Sequence, residues 1–152
     1  MFALISCNNP KNEGKVENKD DGPEFSVVFL ENYFPKNNIE FTSPVKVMVI
    51  DNKNRFDEFF GIAQTMKNSA TPIDFEKNKV VALISKPSDE LLKIQLTETR
   101  LKDNNLLVKY KTIPSEAQSF VSSDLKMFSI PKSIYAIDVV IDTEATETTK
   151  KS

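Results

Sequence analysis

Two Ser-x-x-Lys quartets, Ser129-Ile-Pro-Lys132 and Ser43-Pro-Val-Lys46, carry the spacing of the nucleophile motif of penicillin-recognising enzymes. That chemistry needs a helix to set serine and lysine on one face. Pro131 lies in a strand-like segment that cannot do so, and the second occurrence shows how cheaply the pattern arises. Asp51-Asn-Lys-Asn54 opens like a calcium loop but lacks the central Gly and the closing Glu, so it reads as a helix cap. The adjacent carboxylates Asp89-Glu90 and Asp20-Asp21 fall in polar breaks and read as solvated surface. The chain has no histidine, the commonest general base and metal ligand, and only three glycines, too few to build a phosphate-cradling loop. We therefore expect no catalytic residue, no metal and no cofactor.

The single cysteine is Cys7. It ends Leu4-Ile-Ser-Cys7, the form of a bacterial lipobox: an aliphatic residue, one of middling size, a small one, then the cysteine that takes lipid. Behind it Asn8–Glu24 is rich in Asn, Lys, Glu, Asp and Gly, the composition of a tether. A secretory signal has an apolar stretch of about 7–15 residues behind a charged start, whereas six residues precede Cys7. The lipobox reading thus expects the precursor to extend upstream of Met1. The other reading is a chance cysteine in a frayed terminus.

What must position any site follows from the apolar pattern. Phe25–Leu30 reads as a first strand, Asn32–Pro44 as a loop holding a short extended piece at Ile39–Thr42, and Val45–Ile50 as a second, central strand. Asn54 with Asp57 resembles a capping pair for a helix from about Arg55 to Met66. Its Phe56, Phe59, Phe60, Ala63 and Met66 recur on one face that lies on the sheet. Lys79–Ser85, Leu92–Leu101 and Leu106–Tyr110, with a turn at Lys102-Asp-Asn-Asn105, read as a three-stranded antiparallel meander, Lys109 and Lys111 forming a wet face. Ile113–Asp124 is a long loop, Leu125–Ile130 a strand, and Tyr135–Ile141 the last apolar run. The expected fold class is α+β: one antiparallel sheet of about five to seven strands with one principal amphipathic helix on a face. The expected organisation is a signal remnant at 1–7, a polar tether at 8–24, a single domain at 25–142 and a disordered tail at 143–152. A net charge of −2 offers no basic field for nucleic acid. No apolar run approaches the roughly 20 residues that span a bilayer, so membrane contact is expected only through lipid at Cys7.

The helix with Arg55-Phe-Asp-Glu-Phe-Phe60, the stretch Pro72-Ile-Asp-Phe-Glu-Lys-Asn-Lys-Val-Val-Ala-Leu-Ile84, and a late Ser129-Ile-Pro-Lys-Ser133 before a final strand come in that order. In this the chain resembles the C-terminal domain of the protease-complex-subunit (PrcB-type) family, small modules carried by bacterial envelope lipoproteins, over about Val45 to Ile141. The chain departs from family members in having Lys86-Pro-Ser-Asp-Glu90 where they often carry a Gly-Gly-Tyr turn. The resemblance implies a non-catalytic accessory subunit in the bacterial cell envelope that helps a secreted protease mature or stay stable, and a partner that is another envelope protein.

Two loops are candidates for the binding surface: Lys86, Pro87, Ser88 and Asp89 at the position of that turn, and Phe120 and Val121 among serines in the long loop. An apolar anchor with a polar rim is the usual make-up of such a patch. The other placement for Phe120 is tucked against the sheet edge. The competing function is a small hydrolase that cleaves envelope glycan with carboxylates alone, which would need two of them about 5–10 Å apart in a cleft.

Overall fold

The computed structural model describes residues 23–63 and 69–142. Cys7, most of the tether, Asp20-Asp21, Met66 and the 143–152 tail lie outside them. In chain order the elements are β1 (Val28–Phe29), β2 (Tyr33–Pro35), β3 (Val45–Ile50), α1 (Lys53–Phe59), β4 (Phe60–Ile62), β5 (Asn78–Ser85), β6 (Leu92–Lys102), β7 (Asn105–Pro114), β8 (Leu125–Pro131) and β9 (Ala136–Ile141). The chain is of mostly β, α+β-like architecture.

Strand β5 is the spine. Its residues Val80 to Ser85 are all buried, because successive side chains point to opposite faces and both faces are covered. Val80, Ala82 and Ile84 face one core with Met48, Ile50, Phe56, Phe60 and Met127. Val81 and Leu83 face a second core with Ile94, Leu106, Val108, Phe128, Ile130 and Ile134. An antiparallel four-stranded sheet in the order β1-β8-β5-β3 separates the two cores. Over its first face lie α1 and the two-stranded ribbon β2-β4; over its second lies a three-stranded sheet, β6-β7-β9.

The sheet is not single: nine strands form three sheets among the described residues, and β7 and β9 run parallel from Asn105↔Ala136 to Tyr110↔Ile141. The meander does not form as such. β6 and β7 are a hairpin, but β5 pairs with β3 and β8 in the other sheet. Strand β3 has the expected bounds yet lies at a sheet edge, its outward Val47 and Val49 38% and 47% exposed. The first strand shrinks to Val28–Phe29, and Ile39–Thr42 forms none. The tether's last residues, Pro23 and Glu24, are pinned along β6, with Leu101 N–H donating to Pro23 O at 3.0 Å and Glu24 bridging Arg100.

The helix is shorter than its periodicity predicts. Asn52, not Asn54, is its N-cap; the Asn52 side chain accepts from Arg55 N–H at 2.8 Å. After Phe59 the chain turns extended and pairs with β2, Gly61 opposite Phe34. Glycine is a poor helix interior residue, and here its bare Cα lies under the Phe34 ring: a Cβ at Gly61 would come 2.5 Å from Phe34 Cζ. Phe56 and Phe60 are buried and Phe59 partly so, with Tyr33 edge-on to Phe56 at 5.2 Å.

Candidate functional site

The site is built on the end of β5. Ser85 is fully buried, and its N–H donates to Asp124 O at 2.9 Å while its hydroxyl oxygen accepts from Asp124 N–H at 2.7 Å. The Asp124 carboxylate in turn accepts from Ile94 N–H at 2.7 Å. Asp124 thereby ties the end of the long loop to both major sheets, by its backbone to Ser85 and by its carboxylate to Ile94, whose buried N–H gains an acceptor.

From this point the two candidate loops run together. Ser88 and Ser122 form an antiparallel bridge, exchanging N–H···O bonds of 3.0 and 3.1 Å. Gln118 N–H donates to Asp89 O at 2.8 Å, Gln118 Nε2 to Ser122 Oγ at 3.0 Å, and Ser115 N–H to Leu91 O at 2.9 Å. Within the first loop Glu90 N–H donates to Ser88 Oγ at 2.9 Å, a short serine turn. Lys86–Asp89 and Phe120-Val121, thirty residues apart in the chain, thus belong to one surface.

Phe120 does not tuck onto the sheet edge. It is 60% exposed, and Val121 is 64% exposed. Val121 and Pro87 line a hollow of about 390 Å³ together with Phe34, Lys36, Ile39 and Phe41. Next to it, sharing Phe41 and Pro87, a hollow of about 530 Å³ is lined by Ser43, Pro44, Lys86, Ser88, Glu90 and Leu92. Phe120 and Asp89 line neither hollow and stand on the surrounding surface. Phe34, Ile39 and Phe41 were missed as site residues, being read as loop. Their signal was present: three large apolar residues spaced through a Pro- and Asn-rich stretch that a solvated loop does not need.

Of the two Ser-x-x-Lys serines, Ser43 borders this surface and Ser129 does not. Ser129 lies in β8, and Ser43 precedes β3 and donates to Val45 O at 2.8 Å, so neither Ser-x-x-Lys pair is helical. A third hollow, of about 300 Å³, has Glu24 and Glu98 among its lining residues. Glu98 accepts a bond from Arg100 Nε and lies 3.4 Å from Lys109 Nζ. The Arg100 bond, aided by Lys109, holds its carboxyl below the usual range despite partial burial. Among the described residues no three acidic or cysteine side chains gather as metal ligands, and no helix is long and apolar enough to cross a membrane. No family model, curated protein or solved structure matches the chain.

Proposed function

We propose that this chain is a non-catalytic, lipid-anchored module of the bacterial cell envelope whose two-loop surface binds another envelope protein, in the accessory manner of a subunit that assists or stabilises a secreted or surface protease. The observation that carries the binding role is the pairing of Ser88 with Ser122, which places Val121 and Pro87 in one aromatic-lined hollow and leaves Phe120 exposed beside it. Apolar side chains held out on a hydrogen-bonded loop, with Lys86, Asp89 and Glu90 around them, have the make-up of a docking patch. The envelope setting rests on Leu4-Ile-Ser-Cys7, and the protease setting on the resemblance described above.

The carboxylate-hydrolase alternative is disfavoured by Glu98. Of the two carboxylates lining the third hollow, this one has both oxygens engaged by cations, Oε2 by Arg100 Nε and Oε1 by Lys109 Nζ, which leaves neither open to a substrate as acid, base or nucleophile.

The test is affinity capture from native envelopes with Phe120→Ser and Val121→Ser beside the wild type, each checked for stability. Capture lost at unchanged stability supports the patch; capture retained by both variants overturns it. For the anchor, a fatty-acid probe should label wild type and leave Cys7→Ser unlabelled. Equal labelling of the two removes the envelope part of the proposal.

A further inference from the structure

Among the described residues strand β3 presents an open edge. Lys86 N–H donates to Pro44 O at 2.8 Å, which fixes the phase of the β3–β5 ladder. Antiparallel pairs alternate between bonded and non-bonded, so Lys46, Met48 and Ile50 bond to β5 while Val45, Val47 and Val49 turn their backbone groups outward. The carbonyl of Val45 is taken by the Ser43 hydroxyl. The N–H and C=O of Val47 and Val49 have no partner among the described residues. The side chains of these same two residues are the exposed apolar ones of the strand. An edge of this kind is ordinarily blunted by proline, a bulge or several charges; β3 has one lysine and neither of the others.

We propose that a second copy of this chain pairs with β3, antiparallel and about a two-fold axis at Met48. In that register Val47 opposes Val49 of the other copy, and the two exchange both N–H···O bonds, as do their symmetry mates. Every outward N–H and C=O of Val47 and Val49 is used. Shifting the axis to Val47 would instead set Val49 against Val45, whose carbonyl is occupied. In the Met48-centred register Lys46 faces Ile50 of the other copy and the two Lys46 residues stay apart, so no like charges meet across the seam. The four valines meet on one face, and the two four-stranded sheets become one of eight. The open edge of β9 is a poorer candidate for self-pairing, because Asp138 lies in its middle and would face like charge near a central axis.

The full chain should sediment as a dimer whose population rises with protein concentration. Val47→Lys and Val49→Lys should each return it to monomer mass while keeping the circular dichroism and thermal midpoint of a folded protein. Val140→Lys, on β9, should leave the dimer intact. Register is tested in a Cys7→Ser background, which removes the only native thiol. Oxidising a mixture of Val47→Cys and Val49→Cys chains should give a disulfide heterodimer, since opposed residues are about 5.5 Å apart, whereas either variant alone should not cross-link, its thiols lying on the longer diagonal. A wild-type monomer at all concentrations overturns the proposal. So does a dimer that survives both lysine variants, or cross-linking of Val47→Cys with itself.

Discussion

Ser85 and Asp124 hold each other by two hydrogen bonds, and through the Asp124 carboxylate they hold Ile94 of the facing sheet. The long loop is therefore clamped at the point where it meets the core. Asp124→Ala should leave the Ile94 N–H without its acceptor and cost about 1–3 kcal/mol, the range for an orphaned buried donor. Ser85→Ala, which orphans the Asp124 N–H, should fall at the lower end of that range. Urea midpoints measure both. Amide exchange at Ser122 and Asp124 should quicken in the variants well before global unfolding, because the clamp is local. Unchanged exchange there would show that the loop is held by other contacts.

The helix face separates into unequal contributions. Phe56 and Phe60 are 4% and 2% exposed and pack on Val80, Ala82 and Ile84. Phe56→Ala or Phe60→Ala should each cost about 3–5 kcal/mol, enough to leave a domain of ordinary stability partly unfolded. Phe59 is only partly buried and lies under the Arg55 guanidinium, 5.3 Å from its ring centre. Its replacement by alanine should cost clearly less. Glu58→Ala, whose side chain is exposed, should do little. Denaturant midpoints that rank Phe59 level with Phe60 would contradict the turn into β4 after Phe59.

What could be read from the residues divides along the range of the interactions. The bounds of β3 followed from Val45-Lys-Val-Met-Val-Ile50, β-branched at four of its six positions. The β6–β7 turn followed from Asp103-Asn104, residues that tolerate left-handed backbone. Phe120 and Val121 stood out as apolar residues stranded among serines, and Lys86–Asp89 as a polar break at the position of the resembled family's turn. The sheet partition did not follow. The run Val80 to Ser85 suits a strand buried on both faces, but nothing local says that its neighbours are β3 and β8 rather than the adjacent hairpin. That choice belongs to contacts tens of residues apart. The helix end was lost for a similar reason: Phe60 suits the helical stripe and the strand equally, and the ribbon with β2 decides between them. The joining of Lys86–Asp89 to Phe120-Val121 was also beyond a linear reading, since it depends on β5 and β8 being neighbours.

Glu98 should make stability pH-dependent with a definite sign. Its carboxyl is held low chiefly by the Arg100 hydrogen bond, with Lys109 contributing. A group whose folded-state pKa lies below its unfolded one contributes stability that is full above the unfolded value and is lost as pH falls through the folded value. The difference in urea midpoint between wild type and Glu98→Gln should therefore favour wild type at neutral pH, shrink as pH drops through the carboxylate range, and vanish below it. The group is partly exposed, so added salt should narrow the gap. A gap constant with pH would mean that the glutamate acts by packing alone.

The tip of the β6–β7 hairpin allows a test of backbone conformation that leaves the binding surface alone. Asp103 and Asn104 have φ of 51° and 65°, and Lys102 pairs directly with Asn105. This is the two-residue, left-handed turn whose twist matches that of the flanking strands. Asn104→Gly should keep or slightly raise stability, since glycine enters this region without a Cβ penalty. Asn104→Val should cost about 1–2 kcal/mol, because a β-branched side chain clashes with the backbone there. Neither change touches the hollows around Pro87, so capture of a partner through Phe120 and Val121 should be the same in both variants as long as they are folded. A thermal midpoint for Asn104→Val equal to wild type would show that the tip is not left-handed in solution, and the register of the whole hairpin would then have to be redrawn.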